Sequence, residues 1–533
     1  MKCNYIILKT ACLITCIAVC LYAAGCGKHN YKKEADEQVY NIIDRKWQDD
    51  FGSRANYKIS DVSPSDGDIS LERAVSAAEI LTLPHAVALA TAHNRDYQTQ
   101  KEILYTTALD MRLTRHDFEN RFFGGASGGY SANDDDEVFG LDADFGFNRL
   151  LATGTNISTR LAVSWVEVLS GNLRSGLAAI FNTTVTHPLL RGADRMIVLE
   201  DLTQAQRDVL YQIRSFNRYR KTFVVSVISQ YYGVLLRLDE VNNARENYDT
   251  LTAIYGLVEK LANSGRVPLL ELDRTRQDRL KAFDTYTQAQ KDYSQALDEF
   301  KITLSLKPTV ELRLDESELG SLRASLKNES AFSEAEVIDT ALLRRLDLAN
   351  TADAVIDAQR KVYVAADALR AELNLVGSAK ATSSGRADRS TLGSFSDEYG
   401  LGFELDLPLD RVPEQHVYRK ALISLSQRQR DYDQAADVIR LEVRQAHRDL
   451  VEAAERYSTY AEGLELARKR YKNTYTLLQY GRASSRRVLD AQDDLFDAQN
   501  AATQALVDYA IANLNFYRDT GVLRVRPDGM WEL

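Results

Sequence analysis

Two long segments constrain the fold more than any other feature of the sequence, because each has the pattern of one unusually long helix. They cover 192–263 and 412–480, and proline occurs only near the start of the second. At about 1.5 Å per residue, each helix would extend about 100 Å. Apolar residues recur at alternating steps of three and four, as from Val443 through Leu450 to Leu478. A long helix with one narrow apolar stripe is unstable alone, so the pattern predicts helices packed side by side.

Each long segment ends at a Gly-Arg pair, and helical sequence resumes shortly after it. The pairs are Gly265-Arg266 and Gly481-Arg482. Glycine accepts the positive φ that a sharp chain reversal often requires. The sequence therefore predicts two antiparallel helical hairpins with a turn at the far end of each.

Apolar and polar residues alternate strictly in the regions that precede the two long segments, for example over 139–147 and 399–407. Period two predicts strands with one apolar and one polar face. A soluble sheet with one buried face would give the same pattern. The polar positions here are Asp, Glu, Gly and Asn, and aromatic residues dominate the other face, which favours lipid on one side and water on the other.

Both strand regions end at a proline, which suits the exit from a strand into a helix because proline cannot donate a ladder hydrogen bond. Pro188 is followed by Gly192 in the first region, and Pro408 ends the second. We predict these three residues to form the junctions between strands and helices.

The same order of elements occurs twice along the chain, which predicts two internal structural repeats. The predicted domains are, in chain order, a signal peptide (1–25), a polar, turn-rich leader (26–78), a first repeat (79–310, strands about 119–187, hairpin about 192–305), a linker (311–332), a second repeat (333–523, strands about 372–407, hairpin about 412–519) and a tail (524–533). The first strand region is the longer one and has room for four strands. We interpret its excess as an extra extracellular hairpin.

All five cysteines lie within the first 26 residues, so the body of the chain has no disulfide framework, zinc–cysteine site or cysteine nucleophile. Residues 1–26 have the positive start, short apolar core and small-residue end of an export signal. The end, Ala23-Ala24-Gly25-Cys26, resembles a bacterial lipobox, which makes Cys26 the predicted acylation site. An ordinary secretory signal that happens to include a cysteine is the alternative.

Over about 80–525 the sequence resembles the TolC-like outer membrane efflux protein family. The motifs that carry the resemblance are Pro188-Leu189-Leu190-Arg191-Gly192, Tyr480-Gly481-Arg482 and Leu514-Asn515-Phe516-Tyr517. The resemblance implies a mainly α fold with transmembrane β-strands, in which three copies share one β-barrel and one α-helical barrel. It usually implies four strands per chain.

The resemblance also implies a function and partners. It implies a passive exit duct in the outer membrane, as part of a tripartite efflux pump or a type I secretion system. The implied partners are a periplasmic adaptor protein, an inner-membrane transporter and outer membrane lipid. A periplasm-spanning coiled-coil scaffold lipoprotein without a pore is the alternative, but a scaffold has no use for strands of this pattern.

In the family, two acidic residues six and nine positions after the second turn glycine constrict the pore. This chain has Arg487 and Asp490 there, and the same offsets in the first hairpin give Glu271 and Arg274. We therefore predict a periplasmic gate in which opposite charges latch the entrance, the alternative being ordinary exposed charges. The two Gly-Arg turns are the predicted adaptor docking points, unless they are only turns.

Other classes of function find no support in the sequence. The net charge of −10 disfavours a nucleic-acid binder. The seven histidines are scattered, without the spacing of metal ligands, and the glycines of 124–129 lack the lysine of a phosphate-binding loop. The acids of 134–136 have the pattern of a solvated loop or a weak cation site. We predict no enzyme and no cofactor.

Overall fold

The structure is a computed structural model. It describes residues 28–48, 51, 54, 57–59, 80–132, 137–170, 176–325, 333–386, 395–480, 482–526 and 530–532. The predicted acylation site Cys26, the turn residue Gly481 and the acids of 134–136 lie outside these residues. The chain divides into two compact units: a sheet unit (1–47, 103–213 and 354–428) and a hairpin unit (48–102, 214–353 and 429–533).

The sheet unit contains six antiparallel strands, each paired with the next along the chain. They are β1 (Arg121–Ala132), β2 (Glu137–Leu150), β3 (Asn156–Ser170), β4 (Gly176–Pro188), β5 (Glu372–Arg386) and β6 (Phe395–Asp406). The first four belong to the longer strand region, and the last two to the shorter one. Strands β1 and β6 form the two edges.

Most of the described chain is helical, as predicted. The helices are α1 (Lys28–Lys46), α2 (Leu83–His93), α3 (Arg95–His116), α4 (Arg195–Val198), α5 (Glu200–Asn263), α6 (Leu269–Thr303), α7 (Ser317–Ser325), α8 (Glu334–Arg344), α9 (Leu346–Asp367), α10 (Val412–Gln479) and α11 (Ser485–Asp519). A short hairpin of β7 (Arg524–Val525) and β8 (Trp531–Glu532) follows. Among the described helices, none has both the length and the apolar character needed to cross a membrane.

The two extra strands of the first region lie within the sheet, so the interpretation as an extra extracellular hairpin is wrong. β1 pairs with β2 from Arg121 opposite Asn148 to Ala132 opposite Glu137. The turn between β2 and β3 lies at the same end as the proline exit, because Gly154 lies against Pro188. Matching apolar faces fix this register, since a slip of one residue would turn every side chain to the other face.

The predicted turn-rich leader contains the helix α1. Its buried residues Val39, Ile42, Ile43 and, just after its end, Trp47 follow helical spacing. Tyr105 of α3 donates a hydrogen bond of 2.6 Å from its hydroxyl to Asp36 of α1. The leader is therefore partly an ordered element of the sheet unit.

The hairpin unit is stabilised by an apolar core close to the two turns. Its buried members come from both hairpins: Leu251, Ile254 and Val258 of α5, Ala282 of α6, Leu478 of α10, and Val488 and Leu489 of α11. The two hairpins thus cover each other's apolar stripes, as the sequence pattern required.

Gly154 provides a test of the packing at the end of the sheet. Its φ is +78°, and a Cβ there would lie 2.7 Å from the carbonyl oxygen of Gly192 and 2.7 Å from Pro188 Cγ. We expect Gly154→Ala to lower the free energy of unfolding by about 2 kcal/mol, through strain and the clash with backbone.

The control is Gly233→Ala within α5, where an added Cβ meets no atom within 4 Å. This change is expected to stabilise by up to about 1 kcal/mol. Chemical denaturation followed by circular dichroism measures both variants. Equal stability of the two would contradict the packing described for Gly154.

Candidate functional site

The sheet has one apolar and one polar face, because the register places alternate residues on opposite sides. The apolar face carries, among others, Phe122, Phe145, Phe147, Leu161, Trp165, Phe181, Leu375, Tyr399, Leu401 and Phe403. The polar face carries, among others, Asp142, Asp144, Ser158, Arg160, Asn182, Lys380, Glu398 and Glu404. The predicted alternation is therefore confirmed.

The apolar face is exposed in the chain. Tyr399, Leu401 and Phe403 have 81%, 79% and 71% of their surface accessible, and Phe122 has 65%. A soluble sheet of this composition would bury such side chains against its own core. That alternative is excluded for the described residues, and an exposed apolar surface of this kind marks contact with lipid or another apolar partner.

The predicted junction residues lie where strands give way to helices. The N–H of Gly192, at a φ of +74°, donates a hydrogen bond of 2.8 Å to the buried carboxylate of Asp367 at the end of α9. The N–H of Leu189, directly after Pro188, donates to the carbonyl of Leu373 in β5 at 2.7 Å. The two bonds tie the exit from β4 to the end of α9 and to the start of β5.

The second exit has a simpler structure. The carbonyl oxygen of Pro408 accepts a hydrogen bond of 3.1 Å from Arg411, and the side chain of Asp410 accepts one of 3.0 Å from the N–H of Val412. Asp194 satisfies the N–H of Met196 in the same way at the first exit. An aspartate before the first helical turn satisfies otherwise unpaired N–H groups, which starts each helix at a defined residue.

A buried ionic network, which the sequence reasoning missed, joins α5 to α9 in the sheet unit. Asp357, only 5% exposed, lies 2.5 Å from Arg207 Nε and accepts hydrogen bonds from the Tyr211 hydroxyl at 2.6 Å and from Arg360 at 2.8 Å. Arg360 also pairs with Glu200 at 2.9 Å. Burial raises the pKa of Tyr211, and the hydrogen bond to Asp357 adds to the shift. The sequence signal that could have indicated this network is a polar stripe with spacings of three and four: Glu200, Gln204, Arg207 and Tyr211.

The two hairpin turns share one backbone hydrogen bond. The N–H of Arg266 donates to the carbonyl of Leu261 at 2.9 Å, and the N–H of Arg482 donates to that of Leu477 at 2.8 Å. Both bonds span five residues, and in the first turn such a bond follows a left-handed residue that closes the helix. In the first turn that residue is Gly265, with a φ of +70°.

The four predicted gate residues do not pair with one another in the chain. Glu271 instead accepts a hydrogen bond of 2.8 Å from the hydroxyl of Ser485. Arg274, Arg487 and Asp490 are exposed. Among the described residues, no ion pair joins Glu271 to Arg487 or Arg274 to Asp490. Helical rotation explains this, because Arg487 lies two residues and about 200° around α11 from Ser485.

Asp493, three residues after Asp490, is a carboxyl group near the turns whose pKa is shifted by its surroundings. Burial raises its pKa; Lys281 opposes the shift, and the carboxylates of Asp278, Asp497 and Asp490 add to it. The second to fourth turns of α11 therefore concentrate negative charge, of which Asp490 is the predicted and exposed part.

Comparison with known proteins agrees with this geometry. Residues 337–522 match the model of the outer membrane efflux protein family. No curated protein matches the chain in sequence.

Several solved structures share the fold. One is CusC, whose crystal structures concern conformational changes during folding and transmembrane channel formation. It superposes with a TM-score of 0.61 at 18% identity, covering 82% of this chain and 92% of that one. The CmeC outer membrane channel of Campylobacter jejuni gives 0.60 at 16% identity, with 83% and 85% covered. The MtrE outer membrane channel of Neisseria gonorrhoeae, in its open state, gives 0.60 at 13% identity, with 84% and 90% covered.

The fold of the chain is therefore that of TolC-like channels, and its residues 337–522 match the outer membrane efflux protein family in sequence. The matched family and the structural neighbours are channels and not enzymes. The described residues contain no group of three or more metal-ligating side chains that could hold an ion.

Asp493 generates a prediction about pH. Because its pKa is raised above the ordinary 3.8, the folded state binds more protons than the unfolded state between the two pKa values. Stability therefore falls as the pH rises through that range, and the ionised carboxylate costs stability at pH 7. We expect Asp493→Asn to raise the free energy of unfolding at pH 7 and to lose this advantage below about pH 4.

The matched control is Asp494→Asn, which removes the exposed ion pair between Asp494 and Arg470. It is expected to change stability by about 0–1 kcal/mol in the destabilising direction. Urea denaturation at pH 7 and pH 4 compares the two variants. A destabilising effect of Asp493→Asn at pH 7 would contradict the assignment.

Proposed function

We propose that the chain is the outer membrane subunit of a passive exit duct, serving a tripartite efflux pump or a type I secretion system. The observation that carries this proposal is the six-stranded sheet with an exposed apolar face and a polar face. In such a duct the apolar face contacts lipid, and the polar face of several copies lines a water-filled passage. The family match supports the class of protein, and the hairpins supply the periplasmic part.

The composition of the polar face supports passage of cations. Its described strands carry the acids Asp142, Asp144, Glu372, Glu398, Glu404 and Asp406 against the bases Arg121, Arg160 and Lys380. A passage lined mainly by one sign of charge raises the local concentration of the opposite ion. The duct itself supplies no energy, so the transport force comes from an inner-membrane transporter.

The hairpin turns are the proposed docking points for a periplasmic adaptor. Leu269 and Leu270, directly after the first turn, are 71% and 78% exposed, and Tyr480 at the second turn is 76% exposed. Apolar side chains presented at a helix tip suit contact with another protein more than contact with water. Acylation of Cys26, which would anchor the chain to the outer membrane, stays a prediction from the lipobox.

Purified protein in planar lipid bilayers tests the proposed function. We expect a heat-sensitive trimer on denaturing gels and discrete, cation-selective conductance steps in the bilayer. A stable protein that never conducts would favour the alternative, a periplasm-spanning scaffold lipoprotein without a pore.

The gate hypothesis gives a separate prediction. Since Arg487 and Asp490 are exposed and unpaired with the first hairpin of their own chain, any latch must act between copies. We expect Arg487→Glu to raise single-channel conductance, because it replaces an attraction at the entrance by repulsion.

The control is the neighbouring Arg486→Glu, which makes the same change of charge about 100° around α11. Both variants are compared with the wild type in the same bilayers and at the same salt concentration. Unchanged conductance of the Arg487→Glu channels would discard the latch.

A further inference from the structure

The strand count of the chain and the two open edges of its sheet lead to an inference about the assembled duct, which rests on the proposed function. The resemblance implies four strands per chain, but the described residues of this chain form six in one continuous sheet. The additional pair, β1 and β2, extends the sheet at the edge that starts with Arg121.

The directions of β1 and β6 suit them to pair with each other in neighbouring copies. β1 begins at Arg121, at the junction end of the sheet, and β6 finishes at that end with Asp406. The two strands therefore run antiparallel, and each has 12 residues. The β6 edge of one copy can continue into the β1 edge of the next, as a head-to-tail contact that closes into a ring.

The edges also match in chemistry. Exposed sheet edges of soluble proteins are usually blunted with proline, lysine or bulges. β1 has one charged residue, Arg121, at its start, and neither β1 nor β6 contains a proline or lysine. At the junction end, Arg121 on the polar face of β1 would meet the acids Glu404 and Asp406 on the polar face of β6.

We propose that the inserted hairpin of β1 and β2 forms the contact between copies in the outer membrane, and that three copies close a barrel of eighteen strands. Barrel diameter grows roughly linearly with strand number, and barrels of 16–18 strands enclose a water-filled channel. The barrel would be about 1.5 times as wide as one built from four strands per chain.

The side chains of the inserted hairpin keep this added width open. The polar face of β1 carries Gly125, Ser127 and Gly129, and that of β2 carries Gly140. Phe123 covers Gly146 near the junction end of this face, and farther from the junction the small residues leave the space to solvent. The structure thus points to an outlet wide enough for bulky solutes, with restriction placed elsewhere along the duct.

Engineered cysteines test the contact cleanly, because the chain has no cysteine after residue 26. The double variants Arg121→Cys/Asp406→Cys and Arg121→Cys/Glu404→Cys place thiols at the proposed contact in its two possible registers on the polar face. Oxidation in membranes is expected to give covalent dimers and trimers with at least one of the two. Each single variant serves as a control that cannot form a continuous chain of crosslinks.

A competing arrangement is tested by Ser158→Cys/Asp406→Cys. Ser158 lies on the polar face of β3, near the junction end. If β1 and β2 fold away in the membrane, β3 becomes the edge and three copies close only twelve strands. Crosslinking through Ser158 and not through Arg121 would overturn the proposal, as would the absence of crosslinks in all three pairs.

Conductance recorded from the same preparations separates this proposal from the function on which it rests. Channels that conduct but crosslink through the wrong strand refute the eighteen-stranded barrel alone. Protein that never conducts refutes the exit duct, whichever pair of cysteines reacts.

Discussion

The exposed apolar face of the sheet is the constraint on which the rest of the structure depends. A face that presents Phe122, Tyr399, Leu401 and Phe403 to its surroundings is unfavourable in water. Moving each of these side chains out of water lowers the free energy. Lipid removes that cost, but it imposes another condition, since unpaired backbone groups at an open edge are not solvated there. The proposed lipid contact and the proposed edge closure by further copies therefore both rest on this one surface.

The junctions show how such a sheet is joined to helices. The hydrogen bond from Gly192 to Asp367 ties the first exit to the end of α9, and the bond from Leu189 to Leu373 ties it to β5. The buried network around Asp357 then ties α5 to α9. Removing one partner of a buried ion pair destabilises the fold strongly, because the other charge is left buried and unpaired. The intact pair adds little net stability, because both charges lost their hydration when they were buried, so these contacts specify how the helices pack more than they stabilise the fold.

Much of the fold could be predicted from the sequence because its periodicities are long. Period two along β2 and β6 fixed which face is apolar, and the absence of proline over 412–480 except at its start predicted α10 closely. The sequence predicted β2 as a strand but not that β1 and β2 extend the same sheet, because room for four strands says nothing of where a hairpin pairs. Helix α1 was overlooked in a polar region, although Val39, Ile42 and Ile43 have helical spacing.

The candidate site was less predictable, since it depends on the rotation of each helix about its axis. Equal offsets from the two turn glycines suggested that Glu271 faces Arg487, yet Glu271 contacts Ser485. An offset of two residues along a helix reverses the direction of a side chain. The network of Asp357 was missed for a related reason: its partners lie on segments about 150 residues apart, and only the fold brings them together.

Thiol labelling along β6 tests the central claim most directly, because neighbouring residues there must differ in environment. Single cysteines at positions 400, 402 and 404 lie on the polar face, and those at 401, 403 and 405 on the apolar face. In intact outer membranes, we expect a water-soluble maleimide to label the first set and to leave the second unlabelled. Equal labelling of all six positions, or protection of the first set alone, would contradict a wall between lipid and water.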